Sequence, residues 1–124
     1  IIMVKSVIIV TDSSPIGKNS SVEAIRLGSG FMGLGTEIDC KIVFCGDAVL
    51  TLSKNIDPAK IGMDSLAEHL EMAELSDLEL CVVEEDLKSR GLTRTDLVEH
   101  EFLKVVTQAN VSEMIQTAES TFRF

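Results

Sequence analysis

The sequence predicts an α/β fold: a three-layer α/β/α domain around a mainly parallel five-stranded sheet. Short Val- and Ile-rich runs with little polar alternation recur along the chain, as expected of strands covered on both faces. Segments with helical spacing separate these runs, and alternation of strand and helix implies βαβ units with right-handed crossovers. The length of 124 residues is that of a single domain, 1–124, with one packed core.

The first strand is read over Val4 to Val10. The turn-rich loop T-D-S-S-P-I-G-K-N-S-S follows, with Ser20 or Ser21 as N-cap of a helix running to about Gly33. Ile38 to Cys45 forms the second strand, and Gly46-Asp47 turns into a short helix over Ala48 to Ser53. Met63 to Leu75 has Leu66, Leu70 and Met72 or Ala73 at helical spacing with acids opposite. Leu78 to Val83 is an apolar run that ends where Glu84, Glu85 and Asp86 open a helix, which Lys88, Arg90 and Gly91 close. Phe102 to Thr107 is the fourth strand, Val111 to Ala118 a helix, and Thr121 to Phe124 a terminal strand.

Composition narrows the function. The chain is 45% hydrophobic with no Trp or Tyr, so Ile, Leu, Val and Met fill the core. A net charge of −9 repels nucleic-acid phosphates and anionic membranes, so neither is an expected partner. No apolar run approaches a membrane span, and Asp12 and Pro15 bound the opening run too tightly for a secretion signal. A cytoplasmic location is the expectation. Three cysteines, at 40, 45 and 81, give an odd number without C-x-x-C spacing, which argues against a disulfide framework and a zinc site.

Several motifs fail their context tests. Gly28 to Gly33 matches G-x-G-x-x-G but sits at the far end of a helix, where small residues serve close packing instead of a dinucleotide. Gly17-Lys18 lacks the spacing and the hydroxyl of a phosphate loop. His69 and His100 have no second ligand at helical spacing and read as surface residues. Cys40 and Cys45 flank the second strand on opposite faces, and buried inert thiols are the expectation for both.

The strand ends carry the remaining candidates. Asp12 and Asp47 each follow a strand at the same sheet edge, where ligands collect in open α/β sheets, and turn formation or N-capping is the competing reading for both. The loop from Ser13 to Ser21, with Ser13 and Gly17, offers backbone N–H groups to a small anion. Cys81 is the catalytic candidate: a thiol near a helix start gains thiolate character from unpaired N–H groups of residues 84 to 86, while the acids of that turn oppose it. A core cysteine is the competing reading. No metal or organic cofactor is expected.

Four stretches, in order and spacing, resemble the DsrE/DsrF-like family and especially its TusC/DsrF sulfur-relay branch: S-S-P-I-G-K-N-S-S-V-E-A, F-C-G-D-A-V, L-K-S-R-G-L and the terminal F-R-F. The resemblance implies a five-stranded parallel sheet between helices, cytoplasmic homo- or hetero-oligomers, and persulfide transfer by a cysteine just before the L-x-x-R-G helix. It also implies sulfur donor and acceptor proteins as partners. Counted back from Arg90, the family's cysteine falls on Val83; Cys81 lies on the same strand face about 7 Å deeper. Two functions follow as expectations: a sulfur-relay protein carrying sulfane sulfur on Cys81, or a non-catalytic oligomeric partner subunit. The Met/Leu ridge of the Met63 to Leu75 helix is a candidate self-association surface, with packing on the sheet as the competing reading.

Overall fold

The computed structural model describes residues 5–35, 37–63 and 65–124. Five strands, β1 (Lys5–Thr11), β2 (Ile38–Phe44), β3 (Glu79–Val83), β4 (Leu103–Val106) and β5 (Ser120–Arg123), pair in the order β4-β3-β2-β1-β5. Every pairing is parallel. The helices are α1 (Ser20–Met32), α2 (Leu66–Leu75), α3 (Glu84–Ser89) and α4 (Gln108–Thr117), with 3-10 turns over Gly46–Leu52, Pro58–Ile61 and Arg94–Asp96. None of the described helices is long and apolar enough to cross a membrane.

The pleat sends alternate strand residues to two cores. On one face Ile9, Ile42, Phe44, Leu80 and Val82 pack against α1, α2, α3 and the 3-10 turn after β2. On the other, Ile8, Val43, Cys81 and Val83 meet Val111 and Met114 of α4 and Ala118 at its C-cap. The α/β/α layering therefore stands, with unequal outer layers.

Local chemistry accounts for where elements begin. The N-cap position of α1 is Asn19, not Ser20 or Ser21, and no side chain caps the helix there. Ser21 is buried, and its hydroxyl lies 3.4 Å from that of Thr11 and accepts from Thr51 at 3.0 Å. A hydroxyl held in that way joins β1, α1 and the following 3-10 turn, so it does not reach back as a cap. Helix α2 starts at Leu66 and not at Met63. Residues 58 to 61 form their own 3-10 turn, which Asp57 caps and left-handed Gly62 ends. Helix α4 starts three residues before the expected Val111, because Thr107 and Asn110 cap each other's backbone N–H groups. Val4, the expected start of β1, and residue 64 of the expected Met63 to Leu75 helix lie outside the described residues.

The expected Met/Leu ridge is divided. Leu66 and Leu70 are buried, while Met72 and Leu75 stand 37% and 80% exposed. Gly28 fills the role expected of it. A Cβ there would lie 2.9 Å from Leu78 Cδ2 and 3.3 Å from Ile42 Cδ1, so α1 rests directly on the core. Replacing Gly28 with Ala gains up to about 1 kcal/mol of helix propensity, which offsets the crowding. Gly28→Val has no such offset and is expected to lower unfolding free energy by about 1–3 kcal/mol in urea titrations. Equal stability of parent and Val variant would refute this packing.

A strand-end cleft as the candidate functional site

Helix α3, after β3, joins the core on the α1 face, whereas α4, after β4, crosses the opposite face. Where consecutive connections diverge in this way, a parallel sheet opens a crevice at its carboxyl edge. A cleft of about 500 Å³ lies there. Asp12, Cys45, Gly46 and Val83 form its sheet side. Asp86 of α3 and Gln108, Val111 and Ser112 of α4 close it.

An ionic clamp shapes the floor. Asp86 Oδ2 accepts from the Gly46 N–H at 2.9 Å. Arg90 donates from Nε and Nη2 to Asp47 Oδ1 at 3.1 and 2.9 Å, and from Nη1 to the Asp86 carbonyl at 3.1 Å. Gly46 takes φ +53°, and a Cβ there would sit 3.3 Å from the Asp12 carbonyl oxygen, so this turn needs glycine. The clamp fixes the Cys45-Gly46-Asp47 turn against α3. Arg123 of β5 pairs with Asp12 on the far side.

The expected site residues separate. Asp12 lines the cleft. Asp47 is mostly exposed and works through Arg90 instead of lining it. Ser13 and Gly17 belong to the loop before α1, where the Gly17 N–H approaches Met63 Sδ at 3.2 Å, and neither lines the cleft. Cys81 is 1% exposed and packs with Val43 and Val83 beneath α4. Burial, then the Glu79 carboxylate, pushes its thiol up to about 12.

Cys45 departs from its expected role as a buried inert thiol. It is half-buried, lines the cleft and donates its S–H toward the Thr11 carbonyl at 3.6 Å. Burial and the carboxylates of Asp12 and Asp86 raise its pKa, against a smaller opposing effect of Arg123. The signal available in sequence was its place one residue past β2, beside the Gly-Asp turn. Cys40 is buried on the α1 face, as expected, and burial pushes its thiol up to about 12. His100 is not a surface residue: its side chain is 3% exposed.

Two outcomes follow for the thiols. Under native conditions iodoacetamide is expected to modify Cys45 and to spare Cys40 and Cys81 until unfolding, as read by peptide mass mapping. Asp86→Asn keeps an acceptor for the Gly46 N–H but removes a charge that opposes the thiolate, so Cys45 labelling at pH 7 should speed up several-fold. The buried thiols also set an alkaline limit. Above pH 9 the unfolded thiols ionise while the folded ones hold their protons, so the unfolded state binds fewer protons and stability falls as pH rises toward 12. Each thiol contributes at most about 1.4 kcal/mol per pH unit. Cys81→Ala should flatten the fall in urea midpoint between pH 9 and 11, and an unchanged slope would contradict the burial.

Comparison with known proteins places this architecture. The model of the DsrE/DsrF-like family matches residues 5–124. The intracellular sulfur oxidation protein DsrF of Allochromatium vinosum is 25% identical, over 98% of both chains. Among solved structures, the ychN protein of E. coli superposes with a TM-score of 0.80 at 18% identity, covering 98% of this chain and 100% of that one. A protein of unknown function from Methanobacterium thermoautotrophicum, MTH1491, gives 0.72 at 12% identity, covering 98% of this chain and 99% of its own. The likeness to these two structures shows the shared fold, and the family match extends through the last residue: this chain belongs to the DsrE/DsrF-like family.

Proposed function

We propose that this chain is a sulfur-relay-type subunit that acts as a non-catalytic partner within an oligomer of DsrE/DsrF-like chains. One observation carries the reading. Val83 ends β3 at the cleft, while Cys81, two residues earlier on the same face, is buried under α4 with its thiol held protonated. A relay thiol must attack a sulfane sulfur as thiolate, forming a new S–S bond while the donor leaves as its own thiolate. A residue 1% exposed with a pKa near 12 lacks both access and charge for that step. The DsrF relative is an intracellular sulfur oxidation protein, and the partner reading keeps this chain in that chemistry without its own carrier on β3.

A second reading rests on Cys45, the thiol that lines the cleft. Here Cys45 takes the sulfur, and Cys81 remains structural. Exposure to inorganic polysulfide followed by intact and peptide mass measurement separates the readings. The partner reading expects no stable one-sulfur adduct on the isolated chain. An adduct lost in Cys45→Ser selects the second reading, and an adduct lost only in Cys81→Ser restores Cys81 as carrier and overturns both.

Assembly is part of the proposal. Leu34 and Leu75 are 71% and 80% exposed, and this reading has another copy or a relative cover such side chains. Light scattering at micromolar concentration is expected to give a multiple of the single-chain mass. A single-chain mass throughout that range would remove the self-assembling form of this reading.

A further inference from the structure

The sheet has two outer strands, and their free edges are treated differently. Along β4 the Phe102 carbonyl accepts from the Leu80 N–H at 2.9 Å, so the alternation of a ladder turns the peptide groups of Leu103, Val105 and Thr107 outward. Two of these three are answered within the chain. The Leu103 N–H donates to the His100 carbonyl at 3.3 Å, and the Leu103 carbonyl accepts from Arg94 Nη2 at 3.3 Å. The Thr107 N–H donates to Asn110 Oδ1 at 3.0 Å, and the Thr107 carbonyl accepts from the Val111 N–H at 3.1 Å. Val105 alone stays open on that edge among the described residues, which is how natural sheets blunt an edge against strand addition.

The β5 edge carries no such device. Phe124 donates to the Val10 carbonyl at 2.9 Å, and the same alternation points Ser120 and Phe122 toward β1, so Thr121 and Arg123 present both N–H and C=O outward. Neither has a backbone partner on that side among the described residues. All four residues of β5 are exposed. Phe122, in register with Ile9, lies on the α1 face, where its ring is 40% exposed and 5.7 Å from that of Phe31. Thr121 and Arg123, in register with Ile8 and Val10, lie on the α4 face.

The geometry points to β5 as the strand through which a second copy of this chain extends the sheet, antiparallel about a two-fold axis at Phe122. This rests on the assembly reading above and names a surface for it. The axis sets Thr121 opposite the partner's Arg123 and Arg123 opposite the partner's Thr121, and each such pair exchanges both of its outward N–H and C=O groups. Phe122 meets the partner's Phe122 as the close, non-hydrogen-bonded pair, where aromatic side chains support a sheet. No like charges are opposed, because each arginine faces a threonine. An axis at Thr121 would instead oppose Arg123 to Glu119, whose N–H is already given to the Ser6 carbonyl. The outer layer leaves room for the junction. Helix α1 lies over β1 and β2, so the two α1 axes would stand roughly 19 Å apart at the usual strand spacing, with both Phe31–Phe122 pairs between them. The strand thus supplies its own complement: an apolar centre, and an uncharged neighbour for its one charge.

Oxidative crosslinking of the full chain reads the register. The Cα atoms of a close antiparallel pair lie about 4.5 Å apart, within disulfide reach. Phe122→Cys in a Cys45→Ser background is expected to form a covalent dimer with copper phenanthroline several-fold faster than Val105→Cys in the same background, a residue of similar exposure on the blunted edge. Hydrogen exchange at Thr121 and Arg123 should slow as protein concentration rises. Exposed Thr121 supplies variants that keep the question open to test if Phe122→Cys fails to fold. Thr121→Lys sets a lysine against the partner's Arg123 and should weaken self-association about tenfold in light scattering, whereas Thr121→Glu should strengthen it, both effects shrinking with salt. Crosslinking no faster than the Val105→Cys control, association unchanged by Thr121→Lys, or association weakened by Thr121→Glu would overturn the β5 junction, while a multimeric parent keeps the assembly reading. A parent of single-chain mass removes both. Exchange slowed as much by the peptide Lys-Thr-Val-Thr-Val-Lys as by an equal concentration of the chain itself would assign the edge to any extended strand, and would overturn a junction specific for a second copy.

Discussion

Parallel strands cannot be joined by a tight turn, so each connection must travel back over a face of the sheet, and every strand delivers its carboxyl end to the same edge. That constraint organises this molecule. From β1 through β4 the chain steps in one direction across the sheet, and its connections pack on one face. To reach β5, beside β1, it must reverse direction, and right-handed crossover then requires the opposite face, where α4 lies. The cleft is the consequence, because the chain leaves β3 and β4 on different sides and the strand ends between them are left open.

The same reversal explains the unequal layers. A ten-residue helix is about 15 Å long. It must serve five strands whose outer members are about 19 Å apart at the usual spacing. Helix α4 therefore covers Ile8, Val43, Cys81 and Val83 but does not reach the amino-terminal ends of β2, β3 and β4 on that face. There the apolar pattern gives way to charge. Lys41 pairs with Asp39 at 3.0 Å and approaches Glu79 at 3.8 Å, and Lys104 meets Glu79 at 2.7 Å. Lys41 and Glu79 are only 26% and 19% exposed at their side chains, while Asp39 and Lys104 reach further into water. The pairing satisfies these partly covered charges where no helix packs on the strands.

Strand and helix positions were legible because both signals are local. Uninterrupted apolar runs such as Val7 to Val10 and Leu80 to Val83 need no partner to be recognised, and the two-residue period alone put Cys81 on Val83's face and below it. What escaped depends on neighbours distant in sequence. His100 lacks any local sign of burial, since its two hydrogen-bond partners come from α2 and from its own turn. Cys45 looks like any strand-end cysteine until the clamp from α3 holds its turn at the cleft. Ser21 has the chemistry of a cap, and only the approach of Thr51, thirty positions away, diverts its hydroxyl inward.

Electrostatics decides what the cleft of a lone chain can do. Its ionisable lining is Asp12 and Asp86 around a half-buried thiol. The nearby arginines answer these acids and not the thiol: Arg123 pairs with Asp12, and Arg90 binds Asp47 and the Asp86 backbone. Burial and both carboxylates therefore keep Cys45 protonated, the reverse of the electropositive setting that activates a thiol. Asp12 is paired with Arg123 and Asp86 lies 4.0 Å from Arg90, and even so the effect of both carboxylates on the thiol outweighs that of Arg123. In the chain alone, burial and these acids raise the Cys45 pKa, so the thiol is accessible at the cleft yet slow to ionise.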